Sequence, residues 1–67
     1  MRAHDDAALL LRIRAEFTEM PGLKLTLPQA SRLFQLESAR CQVMLSSLVA
    51  TGQLARRGDT FVRRPSA

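Results

Sequence analysis

Residues 25–64 read LTLPQASRLFQLESARCQVMLSSLVATGQLARRGDTFVRR, and this stretch decides the fold. Two short helical segments lie within residues 25–36 and 37–54, because their apolar residues recur at helical spacing. The end of the stretch has the pattern of a β-hairpin, since Gly58-Asp59 is a two-residue turn signal between two strand-like runs. The predicted order is therefore helix, tight turn, helix, hairpin.

The N-terminal part of the chain predicts one amphipathic helix. Asp5 or Asp6 is a candidate N-cap, because a carboxylate accepts hydrogen bonds from the free N–H groups of a first turn. The expected core face is apolar and has three- and four-residue steps. Its members are Leu9, Leu10, Ile13, Phe17 and Met20. Pro21-Gly22 ends the helix, since proline cannot continue the hydrogen-bond ladder and glycine accepts the turn.

Residues 23–27 alternate and are too short for a helix, so they predict a brief strand that pairs with one side of the hairpin. Thr26 fits the N-cap of the second helix, and Gln29 completes a capping box. Pro28 falls in the first turn, where a missing N–H costs nothing. The expected buried residues of this helix are Leu27, Ala30, Leu33 and Phe34. Gln35 occupies the bend, where glycine is common because it accepts a positive φ.

A third helix is predicted over residues 38–51, beginning at Glu37 or Ser38. One stripe of this helix is apolar and is expected to be buried. The stripe consists of Cys41, Met44, Leu45 and Leu48. Gly52 stands where a left-handed stop is expected, and Leu54 continues the apolar set beyond it.

The opposite face of the third helix carries side chains that can contact DNA. Its members are Arg40, Gln42, Val43, Ser46 and Ser47. Arginine makes a bidentate contact to guanine and glutamine to adenine in the major groove, while valine can meet a thymine methyl group. Glu37, at the entrance of this face, would repel phosphate unless it accepts from a cytosine amine. An ordinary solvated helix face is the alternative interpretation.

Positive charge is concentrated at the C-terminal end. The 67 residues include 10 Lys+Arg and 6 Asp+Glu, for a net charge of +4. Residues 54–67 account for +3, because four arginines outnumber the single acid Asp59. These arginines, predicted to flank the hairpin tip and to bind phosphates, are Arg56, Arg57, Arg63 and Arg64. Alternatively, they only discourage sheet-to-sheet aggregation, as charged edge strands do.

Size and residue content argue against other classes of function. One small domain is expected over residues 5–64, with flexible ends at 1–4 and 65–67, and it leaves little volume for an enclosed active site. The sequence has no Ser/His/Asp or Cys/His arrangement and no glycine-rich phosphate loop, so neither an enzyme nor a cofactor is predicted. Cys41 lacks a cluster of metal ligands and suits a reduced cytoplasm. No apolar run has the length of a membrane span.

From Leu9 to Arg64 the chain resembles winged helix-turn-helix domains of bacterial regulators. The shared pattern is a threonine-initiated helix, a turn, a second helix and L-x-x-L-x-x-x-G-x-L before a hairpin. In this chain the last motif consists of Leu45, Leu48, Gly52 and Leu54. The chain also looks like small uncharacterised bacterial proteins that carry EMPGL-LT-QA-RL runs. The resemblance implies base contacts from Ser38, Arg40, Gln42, Val43 and Ser46, and it places the four C-terminal arginines on the wing.

We therefore expect a mainly α fold with a small β-hairpin: a winged helix-turn-helix of three helices plus a two- or three-stranded antiparallel wing. The expected function is binding of double-stranded DNA by a cytoplasmic bacterial transcriptional regulator. Helix 38–51 would read the major groove, and the 54–64 wing would grip phosphates. The polar side of residues 38–47 and the wing would then form a single cationic surface.

The sequence allows more than one kind of binding partner. A lone module buries only about 600–1,000 Å² on DNA, so we expect a homodimer through the first helix, where Leu10 and Leu11 exceed the needs of the core, or a larger complex. The alternative function is a winged helix that docks a partner protein within such a complex. An RNA-binding module is a third option, but three Phe without Trp or Tyr offer few stacking platforms.

Overall fold

A computed structural model describes residues 3–64, with side chains from Asp6 onward, as three helices and a three-stranded antiparallel sheet. The elements are α1 (Ala3–Glu19), β1 (Lys24–Thr26), α2 (Leu27–Phe34), α3 (Ser38–Ala50), β2 (Leu54–Arg57) and β3 (Thr60–Arg63). The strand order is β1-β3-β2, so the short strand predicted before the second helix does pair with one side of the hairpin. The mainly helical architecture with a small antiparallel sheet is confirmed.

Helix α1 begins at Ala3, so the prediction of an N-cap at Asp5 or Asp6 is wrong. Both residues lie inside the helix, because helical backbone extends past them towards the N-terminus. Flexible ends were predicted at 1–4 and 65–67. Residues 1–2 and 65–67 lie outside the described residues, whereas Ala3 and His4 belong to α1.

The core face of α1 is shorter than predicted. Ile13 and Phe17 are buried, and Leu9 and Leu10 pack partly buried against the same core. Met20 is 46% exposed, because the helix ends before it and the Pro21-Gly22 turn carries the chain away. Its predicted place in the core is therefore wrong.

The start of α2 is set by the predicted capping box. The Thr26 hydroxyl accepts from the Gln29 backbone N–H at 3.3 Å, and the Gln29 side-chain oxygen accepts from the Thr26 N–H at 2.9 Å. Pro28 occupies the first turn, as predicted. Such a cap contributes about 1 kcal/mol, and it stabilises the start of α2 directly after strand β1.

The turn between α2 and α3 is closed by Ser31 and Leu36. The Leu36 N–H donates to the Ser31 carbonyl at 2.9 Å, and the Ser31 hydroxyl donates to the Leu36 carbonyl. Gln35 takes the left-handed conformation, with φ 56° and ψ 50°. The bend thus has the positive φ that glycine usually supplies, and it holds α3 at a defined angle to α2.

Helix α2 buries Ala30 and Phe34, while Leu27 packs partly buried against the core. Leu33 is 45% exposed, so its predicted burial is wrong. The cause is helical geometry: position 33 lies about 100° around the helix from Phe34.

The predicted stripe of α3 is buried in full. Cys41, Met44, Leu45 and Leu48 are its members. Gly52 follows with φ 82°, as the left-handed stop predicts, and the chain enters β2 at the buried Leu54. Phe61 pairs with Leu25 on one side and Arg56 on the other, so the inner face of the sheet closes the core over α1 and α3.

Replacing Gln35 with glycine should stabilise the protein by about 0.5–1 kcal/mol. A left-handed residue with a Cβ costs roughly 1–2 kcal/mol, part of which is offset by the greater chain entropy that glycine loses on folding. Urea unfolding measures the change. Gln35→Ala is the matched control, because alanine keeps the Cβ and should give no stabilisation. Equal stability of the two variants would contradict the assigned strain.

Candidate nucleic-acid interface

The outer face of α3 is uncovered by the rest of the described chain. Its exposed polar and apolar side chains include the predicted contact residues Ser38, Gln42, Val43 and Ser46, together with Ser47. Val43, at 62% exposure, is among the most exposed large apolar residues. The face can therefore approach a groove or a partner surface without any rearrangement.

Arg40, the only charged residue of α3, is paired within the protein. Its Nη2 donates to the Asp6 carboxylate of α1 at 2.6 Å. Its Nε is buried without a hydrogen-bond partner among the described residues. A guanine contact by Arg40 would have to displace this ion pair. The ion pair leaves this side of α3 without net charge, and the positive charge of the candidate interface comes from the hairpin.

The two arginines beside the hairpin turn point to opposite faces of the sheet. Arg56 lies opposite Phe61 with its guanidinium carbon 5.6 Å from the ring centroid, and its Nε–H donates to the Gly58 carbonyl at 3.2 Å. Arg57 is on the other face, because successive residues of a strand alternate. Both side chains remain exposed.

Lys24 joins Arg57 on the outer face of the sheet, although sequence reasoning did not include it in the site. The two residues line one cavity of about 230 Å³. Lys24 pairs with Val62, which pairs in turn with Ala55 of β2. The alternation of residues 23–27 and their predicted pairing with the hairpin were the signals that could have placed Lys24 there.

Arg63 and Arg64 lie at the base of the hairpin, away from its turn. Arg63 pairs with Leu54, the first residue of β2, and the Arg64 N–H donates to the Gln53 carbonyl at 3.3 Å. This register puts them roughly 10 Å from the turn along the strand. The four arginines predicted to flank one tip therefore lie in two places, two beside the turn and two at the base of the hairpin.

Other titratable residues near α3 do not add a reactive site. Glu37 is the exposed N-cap residue of α3 and makes no side-chain capping bond. Cys41 is fully buried, and burial raises the pKa of its thiol, which disfavours the reactive thiolate. Among the described residues there is no group of three or more His, Cys, Asp or Glu placed to hold a metal ion. No helix in residues 3–64 has the length and apolarity needed to cross a membrane.

Comparisons of the chain with protein-family models, with curated proteins and with solved structures gave no significant match.

Asp6 and Arg40 should be coupled by about 0.5–1 kcal/mol in a double-mutant cycle. Both side chains are more than a third exposed, so solvent screening keeps the pair in the range of partly exposed ion pairs. The cycle compares urea unfolding of Asp6→Asn, Arg40→Gln and the double variant. The coupling should shrink at 1 M salt. Additive effects of the two substitutions would show that the contact contributes no stability.

Proposed function

We propose that this protein is a winged helix-turn-helix DNA-binding protein that acts as a transcriptional regulator. The outer face of α3 reads the major groove, and the arginines of the hairpin bind phosphates. The observation that carries the proposal is the uncovered face of α3, held by a tight turn to α2 and followed directly by a basic hairpin.

The order of the elements supports this function. Helix, strand, helix, helix and hairpin, with strand order β1-β3-β2, is the layout in which a second helix enters a groove beside a wing. Recognition requires the second helix to keep a fixed direction. The Ser31–Leu36 contacts supply this rigidity, because they close the turn through both backbone and side-chain groups.

In this proposal, uncharged side chains of α3 contact the DNA bases. Gln42 can bond both edge groups of adenine, and Val43 can contact a thymine methyl group. Ser38 and Ser46 can bond bases or phosphates. Arg40 has a different part in this proposal: while paired with Asp6 it anchors α3 to α1, and it reaches guanine only after that pair opens.

Basic residues of the sheet bind the DNA phosphates in this proposal. Arg56 and Arg57 lie beside the turn, and Lys24 borders the same cavity as Arg57. The Phe61 ring and the Gly58 carbonyl orient the Arg56 guanidinium, which lowers the entropy lost when it meets a phosphate.

A homodimer through α1 would provide the binding area that one module lacks. A single module buries about 600–1,000 Å² on DNA, and a symmetric dimer would read half-sites about 34 Å apart. Leu11 is 63% exposed on α1, whereas Leu10 is partly buried in the core. The dimer surface proposed here is therefore centred on Leu11 alone.

A second candidate function is docking of a partner protein on the same face of α3. The observation that favours it is that Arg40, the charged residue of α3, is neutralised by Asp6, while Val43 is exposed at the middle of that face. A neutral surface with an exposed apolar side chain suits a protein partner, and the hairpin arginines would meet an acidic patch beside it.

Binding to a fluorescent DNA duplex should weaken steeply with salt. If three or four phosphates are contacted, log K should fall against log salt with a slope of about −3 to −4 per protomer. Arg57→Ala should weaken all sequences alike and flatten the slope by about one unit. Arg12→Ala, which removes an equal charge from the exposed side of α1, is the control and should leave the slope nearly unchanged. Absence of binding at low salt would exclude the DNA function and leave the protein-partner function.

Gln42→Ala should relax sequence preference at one A·T base pair by about 1–3 kcal/mol, because alanine cannot make the bidentate contact to adenine. Selection from random duplexes with each variant measures this preference. Gln35→Ala removes an exposed glutamine outside α3 and should leave the selected sequence unchanged. An unaltered selection with Gln42→Ala would show that this side chain does not read bases.

A further inference from the structure

We propose that Arg14, Arg63 and Arg64 form a phosphate-binding pocket at the base of the hairpin. This pocket is separate from the hairpin turn and from the outer face of α3. The proposal does not rest on the proposed function, because a phosphate ion can occupy such a pocket in the absence of DNA.

The three arginines come together from different parts of the chain. Arg14 lies on α1, Arg63 ends β3 and Arg64 follows it. All three line one cavity of about 260 Å³. The remaining walls are Phe17, Thr18, Gly52, Gln53 and Leu54. The packing of α1 against β3 and α3 therefore creates a site that no single element contains.

The backbone positions Arg64 over the end of α3. Its N–H donates to the Gln53 carbonyl at 3.3 Å, and its Nη1 lies 3.4 Å from the place where a Cβ on Gly52 would stand. Glycine is required at position 52 by the backbone, since φ is 82°. The guanidinium of Arg64 therefore lies close to Gly52 and extends towards the cavity.

The charge of this pocket is not balanced by the described residues that line it. No Asp or Glu is among them, whereas Arg40, the half-buried arginine of α3, has Asp6 as its partner. Three guanidinium groups around one cavity repel each other, and an anion between them would remove that repulsion.

Phosphate fits this charge pattern better than a carboxylate does. A phosphate group carries up to two negative charges and at least three acceptor oxygens, while a carboxylate offers one charge and two oxygens. Arginine binds phosphate in a bidentate manner, and three arginines can approach a tetrahedral group from different sides. The phosphate can belong to a free ion or to the DNA backbone. Both present tetrahedral phosphate oxygens to arginine, but a backbone phosphodiester carries one negative charge and two unesterified oxygens, so the free ion matches three arginines more fully.

The first experiment titrates the full chain with inorganic phosphate, replacing chloride at constant ionic strength, and follows the backbone amide signals of residues 52–54 and 64 by NMR. Saturable shifts are expected in the wild type and in Arg12→Ala. Arg14→Ala should weaken the phosphate affinity at least tenfold. Arg12 is the matched control, because it removes the same charge from an exposed position of α1 that does not line the cavity.

A second variant, Arg63→Ala, should weaken phosphate binding as Arg14→Ala does, and thermal melting of each variant checks that it is folded. The same variants are then titrated with duplex DNA at one salt concentration. A loss about fivefold larger for Arg14→Ala than for Arg12→Ala identifies DNA as a source of the phosphate. Equal losses on DNA, with the phosphate result unchanged, identify the free ion.

The proposal is overturned if neither phosphate nor DNA distinguishes Arg14→Ala from Arg12→Ala. Failure of the wild type to bind DNA would instead overturn the proposed function alone, because the phosphate titration is made without DNA.

Discussion

The placement of α1 across α3 and the sheet is the constraint on which the other features depend. Ile13 and Phe17 are almost completely buried against the core that contains Leu45 and Leu54. Each such side chain contributes about 1.5–3 kcal/mol on burial. The total stability of a domain this small is only about 5–15 kcal/mol. These contacts are therefore needed to keep α3 and the hairpin in a fixed position relative to each other. Loss of them would release both surfaces described above.

The same placement determines which arginines can serve an interface. Asp6 comes within hydrogen-bonding distance of Arg40 because α1 packs beside α3. The one charged side chain of α3 therefore forms an ion pair within the protein. Arg14 lines the same cavity as Arg63 because α1 also contacts β3. The packing of one helix thus neutralises the charge of Arg40 on α3 and gathers positive charge at the base of the hairpin. The packing of the core therefore determines where these arginines lie on the surface.

Local signals in the sequence were reliable where neighbouring residues determine the backbone. The Thr26–Gln29 capping box, the stop at Gly52 and the turn at Gly58-Asp59 all formed as expected, because each depends on contacts within a few residues. The buried stripe of α3 was equally predictable from its periodicity. Met20 was misplaced because periodicity does not show where a helix ends, and Leu33 was misplaced because it lies at the edge of the apolar face of α2.

The sequence by itself determined the order of helices and strands, the pairing of the short strand with the hairpin, and the concentration of positive charge near the C-terminus. These follow from propensity, capping and periodicity, which act over a few residues. Only the tertiary structure decided that Arg40 is held by Asp6, and that Arg14 lines the same cavity as Arg63 and Arg64. Such pairings join residues far apart in the chain, and their distances depend on how the core brings whole elements together.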